Sequence, residues 1–529
     1  MSLHSAFNKY PAPSGINYAY GTAGFRYFGD QLDSVAFKVG VIATLRSICL
    51  GGKTIGIVIT ASHNPPDQNG VKVVDPMGEM LPQSWEPFAN QLANTKDWHQ
   101  FNQLVQERLP ENYLKSRDIV PMVVIARDTR QSGPRLVSAV IDGVNALNGH
   151  ITDFGMLTTP QLHYITRCSN DGSFGVASEQ GYYNKLIKTV TKILQINNYD
   201  CLDAVTVDTA NGIGGDKLQK INALNHVMSF HVINGDTAHP LRLNVDCGAD
   251  YVKTNQRLPH GVGNPIPDQL YASFDGDADR LVCYFMDKGG KFRLLDGDRI
   301  ATLFASLIGG LLCHVKGIHV TTAIIQTAYS NGSSTEFIRE KLGLPVYFTS
   351  TGVKHLHEKA IEFDVGIYFE ANGHGTVVFS KKYLEELKKY EAKNSSEQVA
   401  VDTLILLVDL INQAVGDSIS DLITVLVALK LMKKSVEKWG DDYSELANKL
   451  FKLKVADRFV FKTTDAERRL IEPVGVQEKI DEVVKRYSKG RSFVRASGTE
   501  DAVRVYSEAA NEDDCTELGE KVCEIVKGI

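Results

Sequence analysis

Tyr271–Arg280 reads YASFDGDADR, a short β-forming run that ends in three aspartates at alternate positions and an arginine. The run predicts a buried strand, and the polar turn predicts its carboxyl end, where α/β folds gather their ligands. Three carboxylates this close repel one another strongly, so they are not expected to be buried together unaided. A divalent cation removes the conflict, and a turn of oxygen ligands suits Mg²⁺. Arg280 beside such an ion points to an anionic ligand shared by both. An EF-hand is excluded, since the sixth position is Arg280 and no Gly follows in register with a closing Glu.

The same grammar recurs on both sides: TIGIVITASHNP from Thr54, MVVIARDTR from Met122, AVTVDTANGIGG from Ala204 and VGIYFEANGHG from Val365. Continuous apolar runs predict buried parallel strands, each leading through a polar turn into a helical pattern. Alternation with helical stretches such as SVAFKVGVIATLRSICL from Ser34 gives an α/β class. The Gly-rich stretch NDGSFGVASEQGYYNK (170–185) reads as one boundary and LLDGDR (294–299) as another. From about Lys382 the pattern is largely helical. From about Asp441 short strands (RSFVRAS, AVRVYSEA) alternate with helices, as in a smaller α+β domain.

The chain has 529 residues, enough for about three or four domains. Lys plus Arg is 57 and Asp plus Glu is 63, a net charge of −6, which argues against a nucleic-acid partner. Eight scattered cysteines without a C-x-x-C pair suit a reducing cytosol. The N-terminal MSLHSAFNKYPAPSG has no apolar core, and charge interrupts every apolar stretch, as in VDTLILLVDLINQAV from Val401. A cytoplasmic, multidomain protein with no membrane partner is expected.

TASHNP (60–65) places an exposed Ser62 on a turn, beside groups able to stabilise phosphate. A Ser–His hydrolase pair does not fit, because adjacent residues rarely present the ring to the hydroxyl and no G-x-S-x-G elbow surrounds it. Gly52-Lys53-Thr54 is no P-loop, with Ser47 in place of the first glycine, and Gly212-Ile213-Gly214-Gly215 lacks the last glycine of a dinucleotide fingerprint. Arg495, two hydroxyls and glycine N–H groups in RASGTE (495–500), with Arg504 nine residues on, form a dianion pocket. His355 and His357 diverge on a helix and read as solvated.

Four loops, TASHNPPDQNGVK, DGDADR, FEANGHG and RASGTEDAVR, occur in the order typical of the α-D-phosphohexomutase superfamily, and the chain resembles that superfamily along nearly its whole length. YGTAGFR, CGADYVK (247–253), TGVKHLH and Asn372, where glucose and mannose mutases typically carry Ser, resemble its N-acetylglucosamine phosphate branch. The resemblance implies three related α/β domains (1–180, 181–298, 299–438) and a C-terminal α+β phosphate-binding domain (439–529) around a central cleft. It implies a Mg²⁺-dependent isomerase that interconverts N-acetylglucosamine 6-phosphate and 1-phosphate on the route to UDP-N-acetylglucosamine. It implies a hexose 1,6-bisphosphate as bound intermediate and activator. Ser62 would be the phosphoserine, and Asp275, Asp277 and Asp279 with Ser62 the shell of one Mg²⁺. His63, Lys72, Arg26 and Arg280 would lie at the transfer point, Lys72 moving a proton. Thr22, Lys354, Glu370, Ala371, Asn372 and His374 would contact the sugar. Arg495, Ala496, Ser497, Gly498, Thr499 and Arg504 would clamp the phosphate that is not reacting. A metal phosphatase with Asp275 as nucleophile is disfavoured, because Asp279 replaces the Thr or Val usual at its fifth position. A non-catalytic sugar-phosphate binder is disfavoured, because Ser62 and all three aspartates are present.

Overall fold

The computed structural model describes residues 2–21, 23–111, 113, 118–497 and 501–529. Met1–Leu294 with Asp402–Leu431 form one compact unit, and Leu295–Val401 with Met432–Ile529 form the other.

The first unit holds two mixed sheets. In one, Phe25–Phe28, Gln68–Val74, Thr54–Ile59, Met122–Arg127 and His150–Met156 run side by side in that order. In the other, Leu281–Met286, Tyr271–Phe274, Val205–Asp208 and Phe230–Ile233 are adjacent. The second unit holds the sheet Val346–Thr349, Thr322–Thr327, Val365–Phe369 and Gly375–Phe379. It also holds a three-stranded antiparallel sheet ordered Ala447–Lys454, Ala502–Ala509, Arg491–Ala496.

The three larger sheets share one plan. Three parallel strands are followed by an antiparallel partner, at Gln68–Val74, Leu281–Met286 and Gly375–Phe379. This corrects the expectation that each polar turn leads into a helix. TASHNP, DGDADR and EANGHG each lead back into a strand, and only ARDTR and TANGIGG open onto helices, Gly133–Ala146 and Gly214–Leu224. The physical reason lies after the turns: NGVKVV, LVCYFM and GTVVF are β-branched and aromatic runs, too short and too β-prone for a helix. Each hairpin turn thus projects from the carboxyl end of a parallel strand, the place where a polar loop escapes the apolar layers.

The helix Asp33–Cys49 is buried on nearly all sides, as its apolar composition requires. It meets the helix Gly133–Ala146 at paired glycines. A Cβ on Gly143 would lie 2.1 Å from Phe37 O, and one on Gly40 2.3 Å from Val140 O. Among the described residues no helix is long and apolar enough to cross a membrane. Because this crossing has no room for a methyl group, Gly143→Ala is expected to cost about 1–3 kcal/mol of stability. Thermal unfolding followed by circular dichroism checks this; an unchanged midpoint would show that the two helices separate freely.

Candidate functional site

The first unit brings Ser62 onto the three aspartates. Ser62 Oγ donates to Asp275 Oδ2 at 2.5 Å, and one carboxylate oxygen from each of Asp275, Asp277 and Asp279 lies within 4.8 Å of the others. Two expectations need correction here. Ser62 is 1% exposed rather than open to solvent, and the three aspartates are all buried, at 1%, 0% and 4%.

Ser62 is buried because its loop is held from beneath. Its φ of 53° lies in the left-handed region, which a serine keeps only under outside constraint. Arg130, itself 1% exposed, supplies that constraint with one guanidinium. Nη2 donates to Ser62 O (2.8 Å) and Asn64 O (2.9 Å), Nη1 to Pro65 O (2.6 Å) and Gln68 O (2.8 Å), and Nε to Asp128 (3.0 Å). Asn244 Nδ2 donates to the same Ser62 and Asn64 carbonyls at 2.9 and 3.1 Å. Thr60 Oγ1 accepts from Ser62 N–H and donates to Asp128, which closes the frame. Arg130, Asp128 and Asn244 escaped the reading of the sequence. ARDTR held the signal, since an Arg and an Asp straight after a buried strand need partners.

The aspartates are buried because donors meet them. Asp279 and Arg280 N–H groups donate to Asp275 Oδ1 (3.0 and 3.2 Å), and Thr159 Oγ1 donates to Asp277 Oδ2 at 2.6 Å. Lys72 Nζ stands 3.4 Å from Asp277 and 3.2 Å from Asp279. Arg280 Nε lies 4.0 Å from both Asp275 and Asp279, while its Nη1 donates to both oxygens of Asp250 at 2.8 and 2.9 Å. Arg26 Nη1 donates to Asn64 Oδ1 at 3.2 Å. Burial, then repulsion from Asp279 and Asp277, pushes the Asp275 carboxyl well above the usual carboxylate range. Asp277 feels the same burial and repulsion, yet Lys72, Thr159 and Arg26 hold it below that range. His63, with Nδ1 3.9 Å from Asp250, is pushed down to about 4 by burial and then by Arg280, so its ring is neutral near pH 7.

TANGIGG, unusable as a dinucleotide motif, buttresses the aspartate loop. A Cβ on Gly212 would lie 2.3 Å from Gly276 O, and Ile213 N–H donates to that same carbonyl at 3.1 Å. Its glycines admit backbone against backbone.

The second unit carries the turn Glu370–His374, the helix bearing Lys354 and the strands bearing Arg495 and Arg504. In Glu370–His374, Glu370 N–H donates to His374 O (2.9 Å), Asn372 Oδ1 accepts from His374 N–H (3.0 Å) and Asn372 Nδ2 donates to Glu370 Oε2 (3.3 Å). Ala371 and Gly373 complete this turn, Gly373 with a φ of 86°. LLDGDR acquires a purpose beyond a boundary: a Cβ on Gly297 would lie 1.9 Å from Glu370 O. Lys354 is buried in the helix Val353–Ala360, and His374 is buried too. His357, read as solvated, is half-buried with Nδ1 3.0 Å from the Tyr368 hydroxyl. Arg495 and Arg504 are register partners on adjacent antiparallel strands, with Ala496 and Ser497 following Arg495. Thr22, Gly498 and Thr499 lie outside the described residues.

The aspartate loop fits a metal ion by its own chemistry. Its donors are all carboxylate oxygens, the set Mg²⁺ takes, and Asp277 Oδ1 is buried without a hydrogen-bond partner. Burial and its neighbours favour the protonated form of Asp275, and a cation favours the carboxylate, so Mg²⁺ affinity is expected to rise with pH above the ordinary carboxylate range. Calorimetry in two buffers of different ionisation enthalpy reads the released proton; pH-independent binding would place the ion elsewhere.

Comparisons with known proteins cover the whole chain. Residues 172–282 and 296–434 match family models described as phosphoacetylglucosamine mutase AMG1, domain II and domain III. Residues 43–100 with 107–180, and 450–525, match phosphoglucomutase/phosphomannomutase alpha/beta/alpha domain I and C-terminal domain. A Candida albicans phosphoacetylglucosamine mutase is 49% identical over 546 residues, covering 100% of both chains. A crystal structure of an N-acetylglucosamine-phosphate mutase in its substrate complex is similar with a TM-score of 0.94, at 48% identity and 99% coverage of each chain. An Aspergillus fumigatus N-acetylphosphoglucosamine mutase in complex with GlcNAc-6P and magnesium has a TM-score of 0.94 at 44% identity, covering 100% of this chain and 99% of that one. A variant of the Aspergillus enzyme with glucose 1,6-bisphosphate has a TM-score of 0.92 at 45% identity, covering 99% and 97%.

Proposed function

The chain belongs to the phosphoacetylglucosamine mutase family of the α-D-phosphohexomutases, and on that ground we propose that it interconverts N-acetylglucosamine 6-phosphate and N-acetylglucosamine 1-phosphate. The exchange runs through a phosphorylated Ser62 and a bound 1,6-bisphosphate, within UDP-N-acetylglucosamine synthesis in the cytoplasm. The observation that carries this reading is the 2.5 Å approach of Ser62 Oγ to Asp275 inside the buried aspartate cluster. The relatives crystallised with GlcNAc-6P and magnesium, and with glucose 1,6-bisphosphate, support it.

In this mechanism Ser62 carries the phosphoryl group, and Arg130 and Asn244 fix the loop so that Oγ faces one direction in every turnover. Asp275, Asp277 and Asp279 would hold Mg²⁺ together with a phosphate oxygen on Ser62. The ion supplies neutralisation of charge on the group in transfer, where phosphoryl transfer needs most help. Lys72, with Nζ 3.4 Å from Asp277 and 3.2 Å from Asp279, would move a proton during the transfer. Arg280, oriented by Asp250, and Arg26 add positive charge, while neutral His63 adds none. Glu370, aligned by Asn372 and His374, reads sugar hydroxyls. Arg495, Ser497 and Arg504, with Gly498 and Thr499, hold the phosphate that is not reacting, so one seat serves both orientations of the sugar. The four divisions 1–180, 181–298, 299–438 and 439–529 are read as domains that each carry one of these loops.

Incubation of the purified protein with N-acetylglucosamine 6-phosphate, Mg²⁺ and a trace of 1,6-bisphosphate, followed by ³¹P NMR, tests the reaction. Ser62→Ala is expected to fold normally and to lose activity by at least about a thousandfold; full turnover by the folded variant would refute the phosphoserine. Specificity gives a second check. Asn372 shapes the sugar loop by donating to Glu370 and accepting from His374 N–H, and a shorter Ser cannot span both partners, so Asn372→Ser should narrow the preference for N-acetylglucosamine phosphate over glucose phosphate by about 1–2 kcal/mol in kcat/KM. An unmoved ratio would locate acetamide recognition elsewhere.

A further inference from the structure

Arg495 and Arg504 face each other across the strands Arg491–Ala496 and Ala502–Ala509, so their side chains leave the same face of the sheet. Like charges directly opposite are unfavourable without an anion at hand. The chain itself provides one. Glu467 sits at the turn between the strands Lys462–Thr464 and Arg469–Glu472, with Oε1 2.9 Å from Arg495 Nη1. Its Oε2 accepts from Thr351 N–H at 2.9 Å and from Thr351 Oγ1 at 2.5 Å. The Tyr329 hydroxyl accepts from Arg495 Nε at 3.0 Å. A guanidinium, a backbone N–H and a hydroxyl converging on two oxygens form the donor set that suits an edge of a phosphate.

The turn is bent to make this contact. Asp465, Ala466 and Glu467 have φ values of 52°, 55° and 66°, three successive non-glycine residues in the left-handed region. L-residues avoid that conformation, and it persists only where surroundings over-determine it. One restraint is Arg468, whose guanidinium donates to Asp465 Oδ1 at 2.6 Å and lies 4.1 Å from the centre of the Phe348 ring. The other is the Glu467 carboxylate on Arg495 and Thr351.

We propose that Glu467 is a built-in competitor for the phosphate seat, paired with Arg495 until the substrate's phosphate takes its place. This rests on the reading of the Arg495–Arg504 face as that seat. The exchange has a use in a mutase. The bisphosphate must leave the seat and return end for end, and an Arg stripped of its partner midway would raise the barrier to that turn. Glu467 keeps Arg495 paired while the sugar reorients. Its departure also frees Thr351, which precedes the helix Val353–Ala360 bearing Lys354.

The test is titration calorimetry of the full chain with N-acetylglucosamine 6-phosphate in EDTA, which prevents turnover. Wild type, Glu467→Gln, Arg495→Ala and the double variant are compared. Glu467→Gln keeps the size of the side chain and removes its charge. It is expected to bind roughly three- to tenfold tighter, with KM lowered in both directions, and the gain should vanish in the Arg495→Ala background. Damage to the fold would weaken binding, so a gain cannot arise that way, and Glu467→Ala carries the same expectation should the Gln variant fail to fold. Unchanged or weaker binding by folded Glu467 variants, with Arg495→Ala still impaired, overturns the competitor and leaves the seat. Wild-type affinity in Arg495→Ala overturns the seat, and the competitor with it.

Discussion

Three carboxylates share one buried corner with a serine hydroxyl, and the rest of the first unit is organised around keeping them there. At separations below 5 Å, unscreened by solvent, such a cluster opposes folding unless positive groups and hydrogen-bond donors answer it. The chain answers with Lys72, Arg280, Thr159 and two backbone N–H groups, drawn from several strands, turns and helix ends. The answer is incomplete: Asp275 keeps its carboxyl well above the ordinary range, and Asp277 Oδ1 has no hydrogen-bond partner. That residual imbalance is what a divalent cation corrects, and it lies against the residue proposed to carry phosphate.

The sheet plan explains how such a corner can be built on rigid supports. A parallel strand delivers its carboxyl end to a loop, and an antiparallel partner takes the chain straight back, so the loop is pinned at both ends. The plan appears three times, and each time the pinned loop holds polar residues that a helix-bound turn would leave freer. In the Ser62 loop the pinning is reinforced by Arg130. Its buried guanidinium meets four loop carbonyls and is neutralised by Asp128 rather than by solvent.

Much of this was legible in the residues alone. YASFDGDADR announced a strand and a crowded carboxylate turn, and the expectation of a cation there came from the repulsion such crowding creates. The α/β class followed from the apolar runs, and the resemblance of four ordered loops led to the family. What stayed hidden depends on contacts distant in sequence. Nothing local to TASHNP says that Ser62 is buried, since its cover comes from Arg130, Asn244 and Asp275. Nothing local to TTDAERR says that Glu467 reaches Arg495 and Thr351. The hairpins were missed because a strand and the start of a helix look alike at the end of an apolar run, and only the β-branched stretch after the turn separates them.

The mechanism turns on whether a divalent ion sits among Asp275, Asp277 and Asp279 beside Ser62. Crystals soaked in Mn²⁺ and measured at an anomalous wavelength would show it directly. A single peak is predicted at about 2.0–2.4 Å from an oxygen of each aspartate, next to Ser62 Oγ, and lost in Asp277→Asn. A peak elsewhere, or no peak at saturating Mn²⁺ with the three carboxylates unmoved, would contradict it.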